Sequence, residues 1–242
     1  MTNTFSIYGP GNLGIDLEAL KLLPELMSEM TAKLAEFQKK FYQVIQEHER
    51  ELPHLLSLML SYSWYPDFHI PVADSRSLEK CAIVGDFTSI ESFLTDYFRQ
   101  NAAQTERRIC KHYPKRAAVI SDAFSAYREG RYVLAIPVFL AQADGISEEL
   151  LSEHFFTSRK SIAEAQRIAL NGQLNGYERL LFDPLIHSGT IRDHTATLAG
   201  KTGYLNRHAI MHGIDQNYGT EINALKCISL LAYFLMIRTI AS

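Results

Sequence analysis

The stretch DLEALKLLPELMSEMTAKLAEFQKKFYQVIQEHERE, residues 16–51, decides the fold class. Its apolar residues Leu17, Leu20, Leu23, Leu26, Met30, Leu34, Phe37, Phe41 and Ile45 recur at intervals of three or four. That interval returns side chains to one face of an α-helix, whereas a half-buried strand would alternate at every second residue. Glutamate, lysine and glutamine fill the opposite, solvated face. One or two helices are expected, with Pro24 near a break or a first turn.

The same spacing governs the chain on the C-terminal side. LLSLMLSYSWYPDFHIPVADS (55–75) holds Pro66 and Pro71 around a turn, and helical signals resume near Ser77. Trp64 and Tyr65 read as core residues or as a partner patch, and core is favoured. In DFTSIESFLTDYFRQNAAQTERRICKHY (86–113), Thr88 or Ser89 is the expected cap ahead of Phe93, Leu94, Tyr97 and Phe98. The basic run ERRICKHYPKR ends this block, and a boundary falls near Tyr113. Arg107, Arg108, Lys111, Lys115 and Arg116 read as a solvated linker, with RNA-backbone contact as the competing use.

Pro114 is expected to open a helix to Arg128, with Gly130 as its stop. In RYVLAIPVFLAQADGISEELLSEHFF (131–156), Pro137 predicts a kink or a helix start. Residues 158–173 and 174–186 read as two further helices, and 187–203 as loop. A last helix starts near Thr220, a capping threonine. The weak strand signal is TFSIY (4–8), and GPGNLG (9–14) matches a dinucleotide fingerprint in form without the βαβ context it needs. The expected fold is an all-α bundle: an N-terminal helical region over 1–113, regulatory or dimer-shaping, and a helical domain over 114–242.

Composition narrows function. The chain has 242 residues, is 47% hydrophobic and carries a net charge of −3, enough apolar content for a sizeable core and no surface-wide attraction for nucleic acid. Cys81, Cys110 and Cys227 are widely spaced and read as reduced thiols in a cytoplasmic protein. MTNTFSIYGPGNLG lacks the features of a signal peptide. The apolar run Ala224–Ile237 contains Lys226 and falls short of the roughly 20 residues of a membrane span, so it reads as a buried helix. No membrane is expected.

The chemistry concentrates in GYLNRHAIMHGIDQNYGT, residues 203–220. Three uses of its polar residues stand open. The first is a plain helix end, with His212 near the C-terminus and Gly213 as the stop. The second is a metal clip: His208 and His212 are four apart and share a face, with Asp193, His194 or Asp215 near in sequence. The missing Glu of H-E-x-x-H removes metalloprotease chemistry. The third is phosphodiester cleavage without a metal or other cofactor, in which His212 moves protons near neutral pH and the planar fork of Arg207 holds phosphate oxygens. On an ideal helix Arg207 and His212 point roughly 140° apart. A helix ending at Gly213, or a second copy of the motif across a two-fold axis, would close that gap.

NRHAIMH resembles the HEPN superfamily motif: arginine, a polar residue, three variable residues, then histidine. Arg207, His208 and His212 fall on those positions. The resemblance covers residues from about 114 to 242 at most, and the flanking segment through Leu235 is also similar to a tail found in other bacterial proteins. It implies a helical domain that pairs into a homodimer with the motifs at the interface. It further implies metal-independent cleavage of RNA to 2′,3′-cyclic phosphate and 5′-hydroxyl ends, as in bacterial toxins and phage-defence effectors. His212 would be the acid/base, Arg207 would stabilise the phosphorane, and His208 would support. Asn206 lies outside the core motif and is expected to take a supporting place beside it. Tyr218 would bond a phosphate or pack the loop, and packing is favoured. Asp144 would hold Arg207, or serve as a helix-end carboxylate before Gly145. A regulatory or antitoxin partner fits such an enzyme, and a non-catalytic interaction module is the alternative.

Overall fold

The computed structural model describes residues 17–67, 69–156, 180, 182–186, 189–193 and 204–241. TFSIY, GPGNLG, residues 158–173 and His194 lie outside the described residues, as does most of the expected 174–186 helix. Among the described residues all regular structure is helical. The elements are α1 (Leu17–Ser61), α2 (Val72–Ile83), α3 (Phe87–His112), a 3-10 turn (Pro114–Arg116), α4 (Ala117–Arg128), α5 (Tyr132–Leu151), α6 (Asp183–Ile186), α7 (Arg207–Met211) and α8 (Glu221–Ala241). The chain forms two compact units, residues 1–47 and 48–242, and Tyr113 lies within the second.

The first unit holds the N-terminal part of α1, which is one helix that passes through Pro24. From Met27 to Lys40 its side chains are exposed. Lys33 pairs with Glu29 at 2.6 Å and Lys40 with Glu36 at 2.7 Å, both one helical turn apart.

The second unit is built around α8. A helix apolar on every face has no face to give to water. Accordingly every residue from Ala224 to Ile237 is buried, and α8 packs on both α3 and α5. By length and composition α8 is also the described helix apolar enough to cross a membrane. Helix α4 packs against α3 and α5, α2 against α3, and α7 against α5. The end of α1 adds Leu52, Leu55, Leu56 and Met59 to the core, and Trp64 and Tyr65 are fully buried in it. The buried Lys226 ammonium is 3.2 Å from a Glu91 carboxylate oxygen and lies over the Trp64 ring at 5.6 Å. Burial lowers its pKa, with Glu91 opposing that shift.

Several local expectations meet their partners here. Asp86, rather than Thr88 or Ser89, caps α3: its carboxylate accepts from the Ser89 N–H at 3.1 Å and from the Ser89 hydroxyl at 2.6 Å. An aspartate and a serine three apart both suit a cap, and the helix starts two or three residues earlier than a cap at Thr88 or Ser89 would place it. Thr220 caps α8, its Oγ1 accepting from the Asn223 N–H at 3.2 Å. Pro137 lies inside α5, which continues through it. Gly145 is also interior to α5, so Asp144 is not a helix-end residue. Cys81, Cys110 and Cys227 are free thiols.

Candidate functional site

The candidate site is held by a frame assembled from distant parts of the chain. After α1, Ser63 adopts a positive φ of 66°. Its hydroxyl donates to the Leu205 carbonyl at 2.8 Å and accepts from the Leu205 N–H at 3.0 Å. Thr190 Oγ1 lies 2.7 Å from Ser63 Oγ and donates to the Ser61 carbonyl at 3.2 Å. Leu205 is thus stitched to the end of α1, two residues ahead of Arg207.

Asn206 is 2% exposed and caps α7. Its Oδ1 accepts from the Ala209 N–H at 2.8 Å, and its Nδ2 donates to the carbonyls of Thr190 at 2.9 Å and Asp193 at 2.8 Å. All the amide's polar capacity visible here serves the fold. The Arg207 N–H donates to the Ile191 carbonyl at 3.1 Å. The start of the motif is therefore bolted to the 190–193 turn by three hydrogen bonds, two from the Asn206 amide and one from the Arg207 N–H.

Helix α7 ends in a Schellman arrangement: the Ile214 N–H reaches the Ala209 carbonyl at 2.8 Å and the Gly213 N–H reaches the Ile210 carbonyl at 3.1 Å. Gly213 has φ +68°, the left-handed conformation such a stop requires. His212 sits at the C-cap, exposed, and its ring centroid is 4.3 Å from that of His208. Arg207 is half-buried at the other end of this one-and-a-half-turn helix. Its guanidinium lies over the Phe156 ring at 5.6 Å, and among the described residues it has no carboxylate within ion-pair distance.

Asp144 does not pair with Arg207. It pairs with His154 at 3.1 Å and accepts from the Phe156 N–H at 3.1 Å. Arg207 and Asp144 thus meet at the same residue, one at its ring and the other at its backbone. Next door, Arg192 lies over Phe155 at 4.7 Å, and the Phe155 and Phe156 rings meet edge to face at 5.0 Å. Burial lowers the pKa of Arg192, with the nearby carboxylates of Asp144 and Asp193 opposing. Two guanidinium groups therefore rest on two adjacent aromatic faces.

Tyr218 donates its hydroxyl to the Val133 carbonyl at 3.1 Å, and its own carbonyl accepts from Asn223 Nδ2 at 2.9 Å. Val133 is four residues before Pro137, whose missing N–H leaves that carbonyl without its helical donor. Tyr218 supplies the donor, and Gly219 lets the loop approach, since a Cβ there would stand 2.4 Å from Val133 Cγ2.

The expected basic cluster is divided between two tasks. Arg116 is tied to Glu149 at 2.6 Å, Gln142 at 3.1 Å and the Gly145 carbonyl at 2.9 Å, clamping the start of α4 to α5. Arg108 reaches towards His69, whose ring is held by Asp67 at 2.8 Å. Among the described residues no three His, Cys, Asp or Glu side chains gather as metal ligands, and Asp215 accepts from the Asn217 N–H at 2.8 Å in a local turn.

Ser63, Thr190, Phe156 and Arg192 escape sequence reading. Asn206 offered the one usable signal, a cap-forming residue immediately ahead of a short helix. Comparison of the chain with family models, with curated proteins and with solved structures finds no match.

Proposed function

We propose that residues 204–220 form the phosphate-handling site of a metal-independent endoribonuclease of the kind the HEPN resemblance implies. The observation that carries this reading is the state of Arg207. A half-buried guanidinium braced on an aromatic ring, with no carboxylate among the described residues to neutralise it, is a cation available to an anion. The exposed imidazole of His212 stands at the opposite end of the same short helix, beside His208.

In the proposed reaction, His212 takes the proton from a ribose 2′-hydroxyl. The 2′-oxygen attacks the adjacent phosphorus, and Arg207 stabilises the charge on the phosphorane oxygens. The P–O5′ bond breaks, the departing 5′-oxygen takes a proton from a histidinium, and the products are a 2′,3′-cyclic phosphate and a 5′-hydroxyl. Two copies of the motif facing each other across a two-fold axis would supply one histidine as base and one as acid. The setting is that of a cytoplasmic bacterial toxin or phage-defence effector with a regulatory or antitoxin partner.

One observation favours the alternative, a non-catalytic interaction module. Met211 and Ile214 flank His212 with 45% and 57% of their surfaces exposed, an apolar pair suited to meeting another protein. The two readings separate in a cleavage assay on mixed RNA in EDTA, wild type beside His212→Ala, with analysis of product ends. Cyclic-phosphate ends present with wild type and absent with the variant support the nuclease. No cleavage by wild type, or equal cleavage by both, turns the assignment to the module.

A further inference from the structure

Helix α1 carries a second surface that the proposed chemistry does not use. Met27, Met30, Leu34 and Phe37 are 63%, 64%, 58% and 64% exposed. Their spacing of three, four and three residues is the a/d alternation of a heptad repeat, with Met27 and Leu34 at a and Met30 and Phe37 at d. In the sequence the same alternation continues to Leu20 and Leu23 on one side and to Phe41 and Val44 on the other. A stripe this narrow and regular is a seam for another helix, since a helix that packs on a globular core shows a wider apolar face.

We infer that α1 pairs with α1 of a second copy of this chain as a parallel, in-register coiled coil. Identity of the two seams is the first argument. In a parallel two-fold pair every a position meets its own counterpart and every d meets its own, so one stripe completes itself without a specialised partner. Area is the second. Each seam side chain withdraws on the order of 100 Å² from water when seated, so the four exposed positions on each of two helices bury roughly 800 Å², and the four further heptad positions that the sequence supplies would bring the pair to roughly 1,600 Å², the size of a stable interface. The third is charge. Within the exposed stretch the g positions are Lys33 and Lys40, and the e positions are Thr31 and Gln38. An antiparallel pair sets g against g and brings lysines together, whereas a parallel pair sets Lys33 beside Gln38 of the other helix. Glu29 and Glu36 bind those lysines from within the same helix, which leaves the flank of the seam close to neutral.

The assignment does not depend on RNA cleavage, and its test reads association alone. Analytical ultracentrifugation of the full chain at micromolar concentration is expected to give a dimer, and the double variant Met30→Lys/Leu34→Lys a monomer. Two single variants, Met27→Cys and Leu34→Cys, give a readout that needs no loss of structure. Under mild oxidation each is expected to form a dimer cross-linked through the new thiol, which the parent protein does not form. A monomeric parent, a double variant that remains dimeric, or cross-linking at only one of the two positions would overturn the parallel pair. Association of a monomeric parent with lipid vesicles or with a different protein would overturn it as well.

Discussion

Pro137 and Tyr218 complete one hydrogen bond between them: the imino acid withholds a donor from the Val133 carbonyl, and the phenol 85 residues away supplies one at 3.1 Å. An in-helix proline and a conspicuous tyrosine beside the motif therefore share one explanation. Tyr218→Phe is expected to cost about 0.5–1.5 kcal/mol. In a Pro137→Ala background, where the helix regains its own donor, the same change should cost close to nothing. Urea denaturation of the four proteins in this cycle measures the coupling, and equal costs in both backgrounds would sink the account.

Tyr65 presents the opposite case. Its hydroxyl is fully buried with no hydrogen-bond partner among the described residues, and burial drives the phenol pKa well above its ordinary value. Tyr65→Phe keeps the ring contacts with Phe155 and Tyr233 and removes only the unsatisfied group. The variant should be as stable as the parent or more stable by about 1 kcal/mol. A loss larger than that in thermal unfolding would mean the hydroxyl has a partner.

Ser63 ties the entry of the motif to the end of α1, and Ser63→Ala leaves both polar backbone groups of buried Leu205 without it. The expected loss is about 1–3 kcal/mol in the urea midpoint. Should the nuclease assignment hold, cleavage should fall as well, because Leu205 precedes Arg207 by two residues. A stability change below about 0.5 kcal/mol would contradict the bracing role.

The Arg99–Glu221 pair sets an acid-side prediction. Arg99 donates to both Glu221 oxygens, at 2.8 and 3.1 Å, tying α3 to the first turn of α8. The Arg99 hydrogen bond is the main cause that holds the Glu221 carboxyl below the ordinary glutamate value, 4.5. A depressed folded-state pKa means stability that is fully present above the ordinary value and is lost as pH falls through the lower, folded one. The Arg99→Met variant should therefore lose less stability on acidification below pH 4.5 than the parent does. Parallel pH profiles in thermal melts would count against the pair.

How far the sequence could be read depended on whether a residue's partner was near it. The all-helical class, the burial of α8, the Gly213 stop and the Thr220 cap all follow from patterns within one or two turns of chain. Pro137 and Tyr218 were each conspicuous, yet neither names the other, because spacing reports which face a residue occupies and not what meets it. The same limit hid Ser63, whose partner Leu205 is 142 residues away, and misdirected Asp144 to Arg207 in place of His154 and Phe156. The motif itself was legible as residue types, while its aromatic brace was not.

The order of the elements has a kinetic consequence during synthesis. Helices α3 and α5 leave the ribosome with the faces that will receive α8 still open to water, and the chain from His112 to Glu221 must follow before the filler arrives. At ordinary elongation rates that delay is on the order of 5–20 s. Throughout it the nascent second unit displays the apolar channel that later holds Leu230, Phe234 and Ile237, a surface for chaperones to shield.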